Sequence, residues 1–255
     1  MEISPNEFKR QLARPGVTYG LFSGLVDPAA AEVIASAGFD WMLIDGEHAP
    51  HDLRSIMAQL QAAAPYDVPV LVRPEFGNTV LIKRLLDIGA QTLLFPMVES
   101  AEQAEMLVAA TRYPPAGVRG VAASVNRGSR WGRIDGYFTK ADDEMCVICQ
   151  IETVAGMAAI EEIAAVEGVD ALFVGPSDLG ASLGLIGQGR HPDVLAAVDD
   201  AIARIVATAK PAGVFAAPPD LVERWTGLGA TFVAIGVDIP LLAKATADLA
   251  ASFRQ

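Results

Sequence analysis

The chain has 255 residues, a formal net charge of -12, 52% hydrophobic side chains and 20% charged ones. A protein of this size buries about 70 to 75% of its surface on folding, so it builds a core without staples, and its composition excludes a disordered chain. The acidic balance, with no Lys/Arg run to reverse it, argues against nucleic acid, and no apolar run reaches the roughly 18 residues of a membrane span; with no apolar signal core in MEISPNEFKRQLARPG, a cytoplasmic protein is expected.

Taken in chain order, short apolar runs alternate with stretches of helical period. Strand 17–22 is followed by a helix that starts at Asp27 and Pro28 and stops at Gly38, and strand 39–44 by a helix over 52–64. Strand 68–72 precedes a helix from Asn78 to Gly89, and strand 91–96 precedes a helix over 100–111. Strands 145–151, 169–174, 213–216 and 231–236 follow, with helices over 153–165, 193–210, 218–228 and 239–253. Eight such units predict an α/β fold, a TIM (β/α)8 barrel, with a doubly wound open sheet as the alternative. No linker divides the chain, so residues 1–255 read as one barrel domain.

Two stretches break the rhythm. Residues 112–144 are rich in Gly and Arg and too long for an ordinary connection, which suggests an active-site lid, an oligomer contact or a solvated insertion. Residues 176–192 directly follow a strand. Cys146 and Cys149 form a CxxC inside MCVICQIE, but residues three apart on a strand point to opposite faces, so they read as packing residues.

Barrel active sites lie at the C-terminal ends of the strands. There the sequence places IDGEHAPHD, VRPE, QIET and FVGPSD. Glu152 and Asp178 come from adjacent strand ends and suit a hard divalent cation, leaving positions for water and substrate oxygens. A metal-free acid/base pair and two solvated rim carboxylates remain the rival readings. Arg73 can clamp an anion in bidentate fashion or pair with Asp45, and both can hold at once. His48 and His51 do not form HExxH on a helix; one of them, with His48 nearer the strand end, suits a general acid/base. No GxGxxG follows a strand, and GxxxxGK[ST] and GxSxG are missing. No lysine ends a strand, which argues against Schiff-base chemistry.

Taken together, GEHAPHD, VLVRPEF, IKRLLDIGAQTLLFPMVESAEQA, RYPPAGVRG, QIET and FVGPSDLGASLG closely resemble the HpcH/HpaI family of class II pyruvate aldolases, over about residues 17–240. The resemblance implies a barrel of the phosphoenolpyruvate/pyruvate type, assembled as a homo-hexamer with the C-terminal helix exchanged between subunits. It implies reversible cleavage of 4-hydroxy-2-oxo acids to pyruvate and an aldehyde through a metal-stabilised enolate, with Mg²⁺, Mn²⁺ or Co²⁺. By the same resemblance Glu152 and Asp178 are the metal ligands, Arg73 stabilises the enolate and His48 is the catalytic histidine. Asp87 of LLDIG orients that histidine, often across a subunit boundary. Gln150 stands beside the metal, and the backbone N–H groups of Ser177 and Asp178 receive the pyruvate carboxylate, at the start of a short helix.

The aldehyde end is less legible. Phe215 ends a strand and suits a small or hydrophobic aldehyde, or simply core packing, whereas Arg119 and Arg127 of the insertion suit an acidic tail. A lyase acting on a coenzyme A thioester is the alternative function, and a non-catalytic barrel that binds a small acid is a third.

Overall fold

Each of the eight apolar runs forms a strand in the computed structural model, which describes residues 1–254. The strands are β1 (Thr18–Ser23), β2 (Trp41–Asp45), β3 (Val70–Arg73), β4 (Thr92–Phe95), β5 (Cys146–Ile151), β6 (Ala171–Val174), β7 (Ala212–Phe215) and β8 (Ala230–Val237). All neighbours are parallel and in chain order, and β8 pairs back onto β1, so the sheet closes into a TIM-type barrel rather than an open, doubly wound sheet.

A short helix, α1 (Glu7–Leu12), precedes the barrel. Around it run α2 (Pro28–Ala35), α3 (Leu53–Ala63), α4 (Thr79–Asp87), α5 (Ala101–Thr111), α6 (Tyr137–Lys140), α7 (Val154–Ala158), α8 (Ile160–Ala165), α9 (Pro176–Ser182), α10 (Pro192–Ala207), α11 (Pro219–Gly227) and α12 (Asp238–Ser252). The start signals at Asp27 and Asn78 act as expected, their side chains accepting hydrogen bonds from the first-turn N–H groups of their helices, and Asp52 caps α3 in the same way. The stretch expected as one helix over 153–165 divides at Ala159, whose φ of -103° and ψ of 10° break the ladder. Among the described residues no helix is long and apolar enough to cross a membrane.

Inside the barrel, Trp41, Phe173 and Phe232 fill the layers. The end below the strand N-termini is closed by α1, whose Phe8 is fully buried with its ring edge-on to Trp41 at 5.9 Å and to Phe232 at 5.7 Å. Six residues are too few to show a helical period, so this plug has no signature in the sequence; burying its Phe is worth about 2 to 3 kcal/mol. Gly20 of β1 faces the Trp41 ring so closely that a methyl group there would overlap it. Gly20→Ala is therefore expected to lose about 2 to 3 kcal/mol in chemical denaturation, and an unchanged midpoint would contradict this packing.

The two cysteines separate as the strand period requires. Cys146 joins the barrel interior and Cys149 the layer between sheet and helices; both are free. Burial pushes the Cys149 thiol up to about 12 and the Cys146 thiol well above its usual range, which leaves no reactive thiolate.

The 112–144 insertion leaves the end of α5 and leads into the start of β5, so it lies at the end of the barrel opposite the mouth. There Tyr113, Ala123, Ile134, Tyr137 and Ala141 pack a small core of their own against Ile3. This corrects the expectation of an active-site lid: a connection from helix to strand cannot close over the strand C-termini of its own barrel. Arg119 is likewise no free arm for an acidic tail there, being 1% exposed and stacked on Tyr113 at 4.5 Å. The last helix, α12, buries only Asp238 and leaves Ile239, Leu241, Leu242 and Leu249 exposed.

Candidate active site

At the C-terminal end of β3 the Arg73 guanidinium is 6% exposed and held on three sides. Its Nε and Nη2 donate to the two Asp45 carboxylate oxygens at 2.8 and 2.7 Å. Its Nη1 lies 2.9 Å from Glu47 Oε2, an ion pair without hydrogen-bond alignment, and the cation stands 5.1 Å from the centre of the Phe22 ring. Asp45 and Arg73 are partners in the β2–β3 register, so the sheet itself fixes the pair. Burial raises the Asp45 carboxyl, but the Arg73 bonds and charge outweigh it and hold Asp45 below its usual range. Burial disfavours the Arg73 charge too, yet Asp45, Glu47 and Glu152 together raise its pKa. Asp45 takes only two of the five guanidinium N–H groups, so Arg73 keeps donors for an incoming oxygen.

Two strands further round, Glu152 follows β5 and is 1% exposed. Its Oε1 accepts from the Met97 N–H at 2.8 Å, and its Oε2 accepts from Gln150 Nε2. Met97 sits at φ 54°, a left-handed conformation uncommon outside Gly, which aims its N–H at the carboxylate. Gly175 lies against the same carboxylate, and any side chain there would overlap it. Burial, with the Glu47 and Asp178 charges adding to it, pushes the Glu152 carboxyl up to about 7. Asp178 stands half-buried in the first turn of α9 beside exposed Ser177, and no side chain caps that turn.

His48 stands at the mouth with its side chain 62% exposed and its Nε2 3.7 Å from Glu47 Oε2. Phe215 packs edge-on at 5.6 Å against Phe22, the ring that lies under Arg73. His51 is drawn inward, its Nδ1 3.2 Å from Ser55 Oγ, and burial lowers its pKa. The chain does not bring Asp87 to its own His48. Asp87 ends α4, and a helix following a barrel strand returns toward the strand N-termini. There its carboxylate accepts from Asn126 Nδ2 at 3.0 Å and lies 3.8 Å from Arg119 Nη2; burial, the first of several influences, raises its pKa.

Three contributors were missed in the sequence. Glu47 pairs with Arg73 and lies close enough to Glu152 to raise its pKa, Phe22 lies under the guanidinium, and the Met97 N–H holds Glu152. Only Glu47 had a signal, its position two residues beyond the strand-end Asp45.

The residues suit a divalent cation. Asp45, Glu47 and Glu152 act on one guanidinium already engaged by the first two, Asp178 lies close enough to Glu47 and Glu152 to act on both, and burial with mutual repulsion raises the pKa values of Glu47 and Glu152. Gln150 Oε1 is buried without a partner beside Glu152. Among the described residues no three His, Cys, Asp or Glu side chains form a closed metal cluster, so the fit is to an open site completed by water and substrate.

Comparison with known proteins gives the site its context. The family model described as HpcH/HpaI aldolase/citrate lyase matches residues 18–245. A hydroxypyruvate/pyruvate aldolase of Pseudomonas aeruginosa is 52% identical, over 100% of this chain and 95% of its own length. A 4-hydroxy-2-oxo-heptane-1,7-dioate aldolase of Escherichia coli is 50% identical, over 97% of this chain and 95% of its own. The crystal structure of an HpcH/HpaI aldolase/citrate lyase family protein from Burkholderia cenocepacia J2315 superposes with a TM-score of 0.93 at 38% identity, covering 98% of this chain and 100% of that one. The protein is thus a carbon–carbon lyase on a (β/α)8 barrel and belongs to the HpcH/HpaI aldolase/citrate lyase family.

Proposed function

We propose that the protein is a divalent-metal-dependent class II aldolase that cleaves 4-hydroxy-2-oxo acids reversibly to pyruvate and an aldehyde. The observation that carries this reading is the charge at the barrel mouth, where Asp45, Glu47 and Glu152 share one engaged arginine and Asp178 adds its charge to Glu47 and Glu152. The relative named for hydroxypyruvate as well as pyruvate supports a 2-oxo acid as the nucleophile in the synthesis direction. The alternative coenzyme A thioester would have to bring nucleotide phosphates to an acid-rich mouth.

Glu152 and Asp178 would hold Mg²⁺, Mn²⁺ or Co²⁺, with Gln150 beside them. When bound, such a cation supplies a Lewis acid for the 2-oxo group, worth several kcal/mol. Arg73, fixed by Asp45, Glu47 and Phe22, sets its remaining N–H groups toward the oxygen on which enolate charge develops. The N–H groups of Ser177 and Asp178, in the uncapped first turn of α9, receive the pyruvate carboxylate. In cleavage His48, directly or through water, takes the proton of the 4-hydroxyl as the aldehyde departs, and in synthesis it returns it, a role worth about 10²- to 10⁴-fold. Phe215 borders the aldehyde side and favours a small or apolar aldehyde. Two free, buried cysteines and an acidic surface suit the reducing cytoplasm.

This function is tested by measuring pyruvate release from a 4-hydroxy-2-oxo acid. Release is expected to stop on thorough chelation and to return with Mg²⁺, Mn²⁺ or Co²⁺; release that persists without metal would refute the reading.

Because Asp87 lies at the far end of its own barrel, its pairing with His48 requires a second subunit. The exposed apolar residues of α12 supply a docking face for a homo-hexamer with exchanged helices. Mixing inactive His48→Ala and Asp87→Ala subunits, followed by re-association, is expected to restore part of the activity, since some sites then hold both native residues. No recovery in re-formed mixed oligomers would place Asp87 outside the site.

A further inference from the structure

At the closed end of the barrel lies a second cavity, of about 670 Å³, between α1, the starts of β3 and β4, and the insertion. Its size is that of a small-molecule site. Two of its lining side chains, Arg127 and Arg130, come from one turn of the insertion. Neither has a carboxylate within ion-pair distance among the described residues, although the protein as a whole is strongly acidic. Two acids also line the cavity: Glu7 is already taken, by Arg10 at 3.1 Å and Arg14 at 3.7 Å, and Asp67 stands on the wall beside the start of β3, leaving Arg127 and Arg130 as two cations against one unpaired carboxylate among the described residues.

The turn is built to hold these cations in place. Arg127 Nη1 donates to the Ile88 carbonyl at 2.8 Å and lies over Gly89, where a side chain would come within 2.5 Å of it. Gly89 has φ +103°, so the position suits glycine twice over. Arg130 has φ 54° and Trp131 φ 57°, consecutive left-handed residues that carry a side chain, and such strain persists only where surrounding contacts enforce it. The Ser129 hydroxyl, fully buried and bonded to the Ala123 carbonyl, supplies that enforcement. Burial and the neighbouring Arg130 charge together lower the Arg127 pKa, as expected of a cation pair lacking a counter-charge.

We infer that this cavity is a binding site for a small polyanionic metabolite, with Arg127 and Arg130 gripping its carboxylate or phosphate groups, at the end of the barrel opposite the catalytic mouth. The same turn donates to Asp87, Gly128 N–H to its backbone carbonyl at 2.9 Å and Asn126 Nδ2 to its carboxylate at 3.0 Å, so an occupant would steady that residue.

The test titrates inorganic phosphate and, separately, malonate into metal-free full-length protein at constant ionic strength, read by calorimetry. One saturable site per chain is expected for at least one of them, the stronger binder identifying the group preferred. Affinity should fall about tenfold or more in Arg127→Gln/Arg130→Gln and stay unchanged in Arg73→Lys, which separates this site from the mouth. A measurement on the unaltered protein covers a variant that fails to fold: phenylglyoxal should modify Arg127 and Arg130, and the bound anion should protect both. No saturable binding, binding that survives in the folded double variant, or modification that the anion does not slow would each overturn the inference.

Discussion

Glu152→Gln is expected to lower kcat/KM for pyruvate release by about a thousandfold or more, and at the same time to make the metal-free protein more stable at about pH 8. Both effects come from one buried carboxyl. In the unfolded chain it ionises near its ordinary value of 4.5, whereas in the folded one burial and the Glu47 and Asp178 charges push it up to about 7. Between those values the folded protein holds a proton that the unfolded chain has released. Stability of the metal-free form therefore falls as pH rises through that window, by on the order of 3 kcal/mol in all. A neutral amide has no such loss. It can also be satisfied: Met97 N–H keeps its acceptor, and Gln150 can rotate its unpartnered Oε1 toward the new donor. Denaturation at about pH 8 and about pH 4.5 checks the sign, because the variant's advantage should disappear at the lower value. A variant less stable than the parent at the higher pH would contradict the electrostatic account.

Arg73→Met should have the opposite effect on stability while also removing activity. Among the described residues the Arg73 guanidinium is the cation that Asp45, Glu47 and Glu152 share, and its removal leaves buried carboxylates unpaired. A loss of about 3 to 5 kcal/mol is expected at neutral pH and above. Asp45 is held below its usual carboxylate range by this partner, so the stabilisation it brings is present above about pH 4 and fades as pH falls through its depressed value. The variant's deficit should accordingly shrink on acidification, as the orphaned carboxyls take up protons. Arg73→Lys keeps a charge but not the two-pronged bond to Asp45, and should fall between the parent and Arg73→Met in stability and activity. Equal stability of parent and Arg73→Met at about pH 8 would remove the claim that the mouth carries excess negative charge.

The barrel was legible because its strands are short apolar runs bounded by capping residues such as Asp27, Asp52 and Asn78, whose side chains act locally. The plug was not, because Phe8 is explained only by Trp41 and Phe232, 33 and 224 positions away in the chain. Length and composition alone suggest a lid in the insertion, yet its place between a helix and a strand already assigns it to the far end. Within the site, strand-end position and the family resemblance marked Arg73, His48, Glu152 and Asp178. They did not mark Glu47 as an Arg73 partner, since an acid beside a strand end looks the same whether solvated or drawn inward. The Met97 N–H left no trace in side-chain identity at all, because its contribution is a backbone angle.

The central claim, that Glu152 and Asp178 hold the metal on which pyruvate activation depends, is tested most directly by exchange of the pyruvate methyl protons in deuterated water. Exchange is expected with Mg²⁺, Mn²⁺ or Co²⁺ present, to cease on thorough chelation, and to be lost in Glu152→Gln even with metal in excess. Exchange that continues after chelation, or that Glu152→Gln sustains at the parental rate, would contradict the account.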